Sequence, residues 1–495
     1  MHCLIANRGE IAVRIIRACD ELGYATTALY TEPDAHALHT TLADHAFPIN
    51  SYLNAPEIIR IAQQAGCDAI HPGYGFLSEN ADFAAQVIDA GITWVGPLPE
   101  TIRQMGVKTE ARALMQAAGV PVVPGFQSES TENAAFIAAA AEIGYPVMVK
   151  AAGGGGGKGI RIVREAAALP DALDSARREA EKAFQDRRVF LEKYIEAGRH
   201  IEVQIIADAH GHVLHLFERE CSVQRRHQKI IEETPSPLLT TETRQAITRA
   251  AVDAARAVNY INAGTVEFIA TQQGEFYFLE MNTRLQVEHP VTELVTGLDL
   301  VKLQFRVAAG EALPFAQSEV AQRGHAIECR VYAEDPHNHF LPAVGRVLRF
   351  TSPQRPGVRV DTGLQSGDEI TIHYDPMIAK VIVHAPTRAE AIARMQQALH
   401  ETVILGTTTN IDFLQVVLAH PDFITGQMHT ATIDTHLAEM LPESALPEAI
   451  LQAALIALAV QEAHGQAGPV AAPAEDGTDR FSPWNRTDRF RLQRR

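Results

Sequence analysis

Two short runs of β-branched and aromatic residues, 265–269 and 276–280, constrain the fold of this chain more than any other feature. A Gln-Gly pair at 273–274 lies between them, and this arrangement predicts a β-hairpin with a tight turn. Counting back from a two-residue loop pairs Glu267 with Glu280 across the two strands. Like charges that face each other repel, so the pairing predicts either an exposed sheet face or a cation between the carboxylates.

The same face of the hairpin carries a third oxygen donor. Side chains alternate along a strand, which puts Asn282 on the face of Glu280. Two carboxylates and an amide oxygen, with positions left for phosphate oxygens, are typical of a Mg²⁺ site. We therefore predict that Glu267, Glu280 and Asn282 are metal ligands, and the alternative is a pair of solvated glutamates.

The residues after the hairpin carry functional groups at every second position. Arg284, Gln286 and Glu288 would all point the same way from an extended chain. An arginine fork for an anion, an amide and a carboxylate base would then lie beside the predicted metal ligands.

A glycine-rich segment at 153–159 lies between two predicted strands, and Lys150 and Lys158 are near its ends. Five successive glycines cost conformational entropy when they become ordered, so such a segment calls for a function. Backbone N–H groups without Cβ atoms can wrap phosphate oxygens, and a mobile loop can close over a ligand. The segment lacks the spacing of a Walker A loop. We interpret it as a phosphate-binding lid, and the alternative is a flexible hairpin.

Three further features are ambiguous when taken alone. A dense polar run at 218–229 follows a predicted strand; such runs are usually solvated, but local positive charge also suits ATP or an oxyanion. Arg330 shares a strand face with Glu328 and suits either an anion or a structural ion pair. His200 is more often a packed histidine than a ligand.

Composition limits the class of protein. The chain has 495 residues, enough for several domains, and its net charge of -17 argues against nucleic-acid binding. Five scattered cysteines predict free thiols in a reducing compartment. No signal peptide is recognisable, and the longest apolar run, 449–460, is too short for a bilayer. We expect a cytoplasmic protein without membrane association.

The order of predicted elements divides the chain. Strands and helices alternate up to residue 96, which predicts a parallel sheet with helices on both faces. The chain becomes strand-rich from residue 201, and 325–380 again reads mainly as strands. An Ala/Leu-rich helix at 447–464 is followed by a Pro/Ala/Gly-rich linker and the opening of another element.

Taken together, these segments resemble the biotin carboxylases of the ATP-grasp superfamily, from about residue 4 to about residue 437. The resemblance implies a parallel α/β N-terminal domain (1–108), an ATP-grasp domain (109–322) with a lid at about 125–195, and a C-terminal mixed β domain (323–440). Residues 441–495 would be a helix, a linker and an incomplete following region. The runs that carry the resemblance are IANRGEIAVRI, HPGYGFLSEN, GGGGGKG, QRRHQK and EMNTRLQVEHPVTE.

The resemblance also implies roles for single residues. Glu288 would deprotonate bicarbonate, Arg284 would bind it, and Lys229 and Arg330 would surround the biotin ureido ring. The ligands of Mg²⁺ or Mn²⁺ would be Glu267, Glu280 and Asn282. Bicarbonate would also meet Gln286 and the backbone of Val287. The nucleotide would be held by Lys108, Lys150, Gly156, Gly157, Glu192, Lys193, Ile195, His200, Gln224 and His227.

The implied activity is ATP-dependent carboxylation of biotin by bicarbonate through carboxyphosphate, the first half-reaction of an acyl-CoA carboxylase. No lysine is flanked by methionines, so biotin would arrive on a biotin carboxyl carrier protein or domain. A carboxyltransferase subunit would be a further partner, and a homodimer would form with Arg17 and Glu21 at its interface. The loop near residues 47–54 is shorter than is usual in the family.

Two other functions stay open. Another ATP-grasp ligase would share the ATP and Mg²⁺ residues, but Lys229, Glu288 and Arg330 in their full motifs weigh against it. A non-catalytic nucleotide-binding module should have lost ligands, and every expected side chain is present.

Overall fold

The N-terminal region forms the parallel sheet that the sequence predicts, in the order β3-β2-β1-β4-β5. Alternate residues of the first strand pack into two separate clusters, Cys3 and Ile5 in one and Leu4 and Ala6 in the other, so both sheet faces are covered. The elements are β1 (His2–Ile5), α1 (Gly9–Leu22), β2 (Ala25–Tyr30), α2 (Leu38–Leu42), β3 (His45–Pro48), α3 (Ala55–Gln64), β4 (Ala69–His71), α4 (Ala81–Asp89), β5 (Thr93–Trp94) and α5 (Pro99–Gly106).

A small antiparallel sheet of order β6-β9-β7-β8 follows. Its apolar side packs on two helices in a cluster that includes Phe136, Leu173 and Leu191. As predicted, strands flank the glycine-rich segment, and they pair with each other. The elements are α6 (Lys108–Ala117), β6 (Gly125–Gln127), α7 (Asn133–Ile143), β7 (Val147–Ala151), β8 (Arg161–Val163), α8 (Leu169–Phe184) and β9 (Val189–Lys193).

The next part of the chain builds most of an eight-stranded antiparallel sheet. One of its faces packs on α9 through residues such as Val203, Ile247 and Phe268. The elements are β10 (Arg199–Ala207), β11 (Val213–Arg225), β12 (Gln228–Thr234), α9 (Thr241–Ala257), β13 (Asn262–Ala270), β14 (Phe276–Asn282), α10 (His289–Thr296) and α11 (Leu300–Ala308).

The C-terminal strands continue the same sheet, whose order is β14-β13-β10-β11-β12-β15-β22-β20. This brings Glu232 on β12 directly opposite Glu328 on β15. The elements are β15 (His325–Tyr332), β16 (Glu334–Asp335), β17 (Leu341–Pro342), β18 (Gly345–Arg346), β19 (Arg349–Thr351), β20 (Val358–Thr362), β21 (Glu369–Ile370), β22 (Met377–Ala385), α12 (Arg388–Glu401), β23 (Val403–Leu405), α13 (Ile411–Ala419), α14 (Pro421–Ile424) and α15 (Thr432–Met440).

The hairpin of β13 and β14 pairs Glu267 with Glu280, as predicted, but its loop is not the predicted one. Ala270 pairs with Phe276, so a two-residue loop is wrong and the turn is longer. A register shift next to Glu267 adds one residue, Leu279, to β14. This bulge offsets the longer loop and restores the predicted pairing at the functional end of the hairpin.

The polar run at 218–229 does not follow a strand, because most of it lies within β11 and β12. Residues 218–225 are buried, which excludes the solvated interpretation for them. Ion pairs make this burial possible. Arg219 Nε lies 2.5 Å from Glu202, and Arg225 lies 2.5 Å from Glu334.

The computed structural model describes residues 1–128, 132–151, 160–184, 186–226, 228–442, 452–457 and 460. The predicted nucleotide contacts Gly156, Gly157 and His227 lie outside these residues. Residues 1–442 form one unit, and in the other unit residues 452–457 and 460 are helical, as predicted for that segment. Within the described ranges, none of the helices combines the length and apolarity needed to cross a membrane.

Candidate active site

A cavity of about 1010 Å³ lies where the N-terminal sheet, the small sheet and the eight-stranded sheet meet. It has the size of a site for a nucleotide-sized ligand. Thirteen of the predicted site residues line it, together with Asn7, Tyr74 and others. These thirteen are Lys108, Lys150, Glu192, His200, Gln224, Lys229, Glu267, Glu280, Asn282, Arg284, Gln286, Val287 and Arg330.

Lys229 contacts three carboxylates at this cavity. Its Nζ lies 2.6 Å from Glu202, 2.9 Å from Glu267 and 2.8 Å from Glu288. Burial by itself would lower the pKa of Lys229, but the three carboxylates raise it well above its usual value. Lys229 is therefore a fixed cation at neutral pH.

Glu288 is fully buried directly behind the cavity wall. Its Oε1 faces Lys229, and its Oε2 accepts a hydrogen bond of 3.0 Å from Arg330. Burial would raise the pKa of Glu288, but Lys229, Arg330 and Arg219 hold it well below its usual value. The carboxylate is thus ionised, which is the state that a proton acceptor needs.

The three predicted metal ligands share one side of the hairpin. Oε1 of Glu267 accepts from Lys229 at 2.9 Å, from Asn282 at 2.8 Å and from Gln286 at 3.3 Å. Burial would raise the pKa of Glu267, but Lys229 and His200 lower it well below its usual value. Glu280 is more open, at 40% side-chain exposure. Ionised oxygen donors beside a polar cavity fit a hard cation such as Mg²⁺ or Mn²⁺.

A carboxylate from the N-terminal region orients Arg284. Glu79 Oε2 lies 2.9 Å from Arg284 Nε, and Glu79 Oε1 accepts from the backbone N–H of Thr283 at 3.2 Å. The other guanidinium nitrogens donate to Gln286 at 3.0 Å and Asn282 at 3.1 Å. Arg284 and Gln286 thus face the same cavity, as their spacing predicts. For Glu288 the predicted extended chain is wrong, because residues 287–288 form a turn at the start of α10 and Glu288 is not among the described residues that line the cavity.

Arg330 lies between two carboxylates. Its Nε donates to Glu232 Oε1 at 2.6 Å, and a second nitrogen donates to Glu288. Burial would lower the pKa of Arg330, but Glu232 and Glu288 raise it well above its usual value. The guanidinium lines the cavity, where it can bind an anion, and it also belongs to an ion-pair network. Both roles that the sequence left open for Arg330 are therefore compatible with the structure.

Cations and a histidine line the part of the cavity nearest the small sheet. Lys108 Nζ lies 3.1 Å from Glu280, and the Lys150 ammonium pairs with Glu192. His200 Nε2 lies 3.0 Å from Glu267 Oε2, and its Nδ1 lies 2.9 Å from the side-chain amide of Gln224. These groups lie close to the predicted metal ligands, where an anionic polyphosphate would be stabilised.

Two predicted nucleotide contacts, Lys193 and Ile195, are not among the described residues that line the cavity. The Lys193 ammonium instead donates to the backbone carbonyls of Gly144 at 2.9 Å and Tyr145 at 3.0 Å. Among the described residues, the structure therefore brings the predicted catalytic and metal residues together with five of the seven predicted nucleotide residues, and it leaves these two outside.

The five cysteines are free, as predicted, and all five are buried. Cys221 Sγ lies 3.9 Å from Glu288 Oε1. Burial raises the pKa of the Cys221 thiol well above its usual value, and Glu202 raises it further. Cys221 is therefore a packed thiol rather than a thiolate.

Sequence reasoning missed four charged residues that support the site: Glu79, Glu202, Arg219 and Glu232. Glu79 lies in a quoted motif, so its motif could have indicated it. Glu202 and Arg219 are fully buried and pair with each other. Their signal was a run of charges within strands that are otherwise apolar.

Three family profiles match the chain. "Biotin carboxylase, N-terminal domain" matches residues 1–102, "Carbamoyl-phosphate synthase L chain, ATP binding domain" matches 107–316, and "Biotin carboxylase C-terminal domain" matches 328–435.

Relatives of two kinds are similar to the chain. Biotin carboxylase from Halalkalibacterium halodurans is 51% identical over 440 residues, which cover 88% of this chain and 97% of that protein. The mitochondrial α subunit of methylcrotonoyl-CoA carboxylase from Mus musculus is 48% identical over 461 residues. That match covers 91% of this chain but only 64% of the mouse protein.

A solved structure agrees with both. The biotin carboxylase domain dimer of Hydrogenobacter thermophilus 2-oxoglutarate carboxylase, in complex with MgADP, ADP and bicarbonate, has a TM-score of 0.85 and 46% identity. The match covers 90% of this chain and 99% of that one. The sequence resemblance is thereby confirmed, and the chain belongs to the biotin carboxylase family of ATP-dependent carboxylases.

Proposed function

We propose that this chain transfers the carboxyl group of bicarbonate to biotin on a carrier, at the expense of ATP. The observation that carries the proposal is the contact of Glu288 with both Lys229 and Arg330, beside the oxygen donors of the hairpin. An anion site and a candidate metal site then share one cavity, and an ionised base lies directly behind its wall, as carboxylation by way of a mixed anhydride requires.

In the first step, Arg284 and Gln286 hold bicarbonate and Glu288 takes its proton. Glu79 keeps the Arg284 fork in place, and Lys229 keeps Glu288 ionised until the proton arrives. A bicarbonate oxygen then bonds to the γ-phosphorus of ATP while the bond to the ADP oxygen breaks, which gives carboxyphosphate and ADP. Alignment and charge stabilisation carry most of such a transfer.

Lys108 and Lys150 would offset the charge of the ATP phosphates, and His200 would hold the Glu267 carboxylate in position. Glu267, Glu280 and Asn282 would hold Mg²⁺ or Mn²⁺. When bound, the cation supplies Lewis-acid stabilisation of the phosphoryl oxygens. Val287 would contribute its backbone to the bicarbonate site.

In the second step, carboxyphosphate breaks down to CO₂ and phosphate within the cavity. The phosphate accepts the proton from biotin N1′, and the nitrogen attacks CO₂. Arg330 is placed to stabilise the negative charge that develops on the ureido oxygen, because a preorganised cation in a buried site stabilises such charge strongly.

We further propose that the chain serves an acyl-CoA carboxylase of the methylcrotonoyl-CoA type, with a biotin carboxyl carrier and a carboxyltransferase as partners. The similarity to the mouse α subunit supports this, although the chain spans 64% of its length. The proposed domains are 1–108, 109–322 with a lid at about 125–195, and 323–440. Cytoplasmic localisation stays a prediction.

A homodimer is also proposed, because the Hydrogenobacter relative is a dimer. Arg17 and Glu21 on α1 are its predicted interface residues. Both are part exposed, at 44% and 49% of their side chains, and make ion pairs with Asp361 and Lys302 within the chain.

The test is phosphate release from MgATP with and without bicarbonate and free biotin. The proposal expects release that needs bicarbonate and rises with biotin. Release that ignores biotin but responds to an amine would assign a different ATP-grasp ligase. ATP binding without any release would favour a binding module.

A further inference from the structure

Lys380 is a buried cation that none of the sequence motifs includes. It lies on β22 with 0% exposure. It pairs directly with Arg330 on β15 and with Asp361 on β20, so all three side chains share one face of the eight-stranded sheet. Arg330 lines the cavity from this face.

The ammonium of Lys380 connects three distant segments. Nζ donates to the backbone carbonyl of Val287 at 2.8 Å, and it lies 3.1 Å from Oε1 of Glu10 on α1. Glu10 Oε1 in turn accepts a hydrogen bond from the hydroxyl of Tyr74. Glu10, Tyr74 and Val287 all line the cavity, so Lys380 contacts residues of its walls although it is not itself among the described residues that line it.

The hydrogen bond from Lys380 is accepted by a backbone carbonyl next to the proposed base. The Val287 carbonyl belongs to the peptide plane that continues into Glu288, the proposed base. Gln286 precedes it and binds Glu267. A donor held on the Val287 carbonyl therefore fixes the plane from which the Glu288 side chain departs, at the turn into α10.

Packing alone does not explain a lysine at this position. An isolated buried ammonium is costly, and an apolar side chain would fill the space without that cost. Burial lowers the pKa of Lys380, but Glu10, Glu328 and Asp361 raise it overall, against the opposing charge of Arg359. The surrounding acids thus keep a charged donor directed at one backbone carbonyl.

We propose that Lys380 is a positioning residue for the bicarbonate step, holding the Val287–Glu288 peptide in register with Arg330, and that Glu10 and Tyr74 hold Lys380 in turn. This inference rests on the proposed function. It predicts a defect in the use of bicarbonate rather than in the binding of ATP.

The test is steady-state phosphate release by Lys380→Met, which keeps the length of the side chain and removes its charge and donors. We expect the KM for bicarbonate to rise about tenfold or more and kcat to fall, while the KM for ATP changes less than about twofold, as for loss of one charge-assisted hydrogen bond. Lys380→Arg, which keeps a cationic donor, should recover part of the loss. Arg306→Met removes an exposed cation of α11 that is not among the described residues lining the cavity, and it should leave both KM values unchanged.

An unchanged KM for bicarbonate, or an equal loss for both substrates, would overturn the positioning role. If Lys380→Met does not fold, Glu10→Gln replaces it as the test, because this change weakens the ion pair with Lys380 but keeps the Lys380 side chain. A smaller rise in the KM for bicarbonate alone supports the role, and no selective rise overturns it. A wild-type chain that does not respond to bicarbonate would instead refute the proposed function, and the inference with it.

Discussion

The ammonium of Lys229 lies 2.8 Å from Oε1 of Glu288, although the two residues are 59 positions apart in the chain. This contact and the bond from Arg330 keep a fully buried carboxylate ionised. A carboxylate held this close to a cation can accept a proton only from a substrate that binds directly beside it. Bicarbonate is small enough to bind there and suits the site better than a bulky amine.

Replacement of Glu288 by glutamine should abolish biotin carboxylation and leave ATP binding near normal. Glutamine keeps the shape of the side chain but cannot take the proton, and loss of a general base costs at least about 100-fold in kcat. Carboxybiotin formation and ATP affinity are the two measurements. Unchanged turnover would remove Glu288 from the mechanism.

Replacement of Glu280 by glutamine should raise the Mg²⁺ requirement. Glu280 is the most open of the three proposed ligands, so the variant should fold normally. We expect about a tenfold higher Mg²⁺ concentration at half-maximal phosphate release. Glu275→Gln, an exposed change in the same hairpin, is the matched control. Superimposable Mg²⁺ titrations for the two variants would count against the paired-carboxylate site.

Removal of Glu79 should impair bicarbonate binding through Arg284. Glu79→Ala takes away the carboxylate 2.9 Å from Arg284 Nε, and hydrogen bonds to charged groups contribute about 1.5–3 kcal/mol. The KM for bicarbonate should rise at least about tenfold, with little change for ATP. Glu100→Ala breaks a similar glutamate–arginine pair at the surface and serves as the control. An equal KM for bicarbonate in both variants would show that Arg284 does not depend on Glu79 to bind bicarbonate.

Glu232 should make stability depend on pH. Burial raises its pKa to about 7 from the ordinary 4.5, with Arg330 opposing and Glu288 adding to the rise. Between these values the folded state binds more protons than the unfolded state, so the contribution of Glu232 to stability falls as pH rises from about 5 to about 7. Each pKa unit corresponds to about 1.4 kcal/mol, which puts the change at about 3 kcal/mol or less.

The measurement is the Tm of wild type minus that of Glu232→Gln, which cannot titrate. This difference should decline over the same pH interval. A constant difference from pH 5 to pH 7 would mean that Glu232 does not change its protonation there.

The hairpin of β13 and β14 shows how much of the site can be predicted from the sequence alone. Residue alternation and turn chemistry predict the pairing of Glu267 with Glu280, but only by assuming a two-residue loop and an unbroken ladder of pairs. The loop in the structure is longer than the predicted two residues, and the bulge at Leu279 compensates for the extra length. The bulge could not be predicted, because bulges have no local sequence signal as strong as that of a turn. The pairing was thus predicted correctly through two errors that cancelled.

For the charged network behind the cavity, the sequence could indicate some of the residues but not which partner each of them meets. Glu79, Glu202 and Lys380 acquire their roles from partners that are 205, 27 and 93 residues away, respectively. β10 contains two charged residues, Arg199 and Glu202, and β22 contains one, Lys380, among mainly apolar neighbours. Which buried charge meets which partner depends on strand order in the sheet, and β12, β15 and β22 become neighbours only in the folded chain.

Bicarbonate should attack ATP before biotin is carboxylated, and oxygen labelling follows this order of events. The chain is incubated with MgATP, free biotin and ¹⁸O-bicarbonate, and the released phosphate is analysed by mass spectrometry. If carboxyphosphate forms, one bicarbonate oxygen remains on phosphorus, so the phosphate should carry one label for each turnover. Unlabelled phosphate released in step with carboxybiotin would rule out carboxyphosphate, because the phosphoryl group would then have reached water or another acceptor.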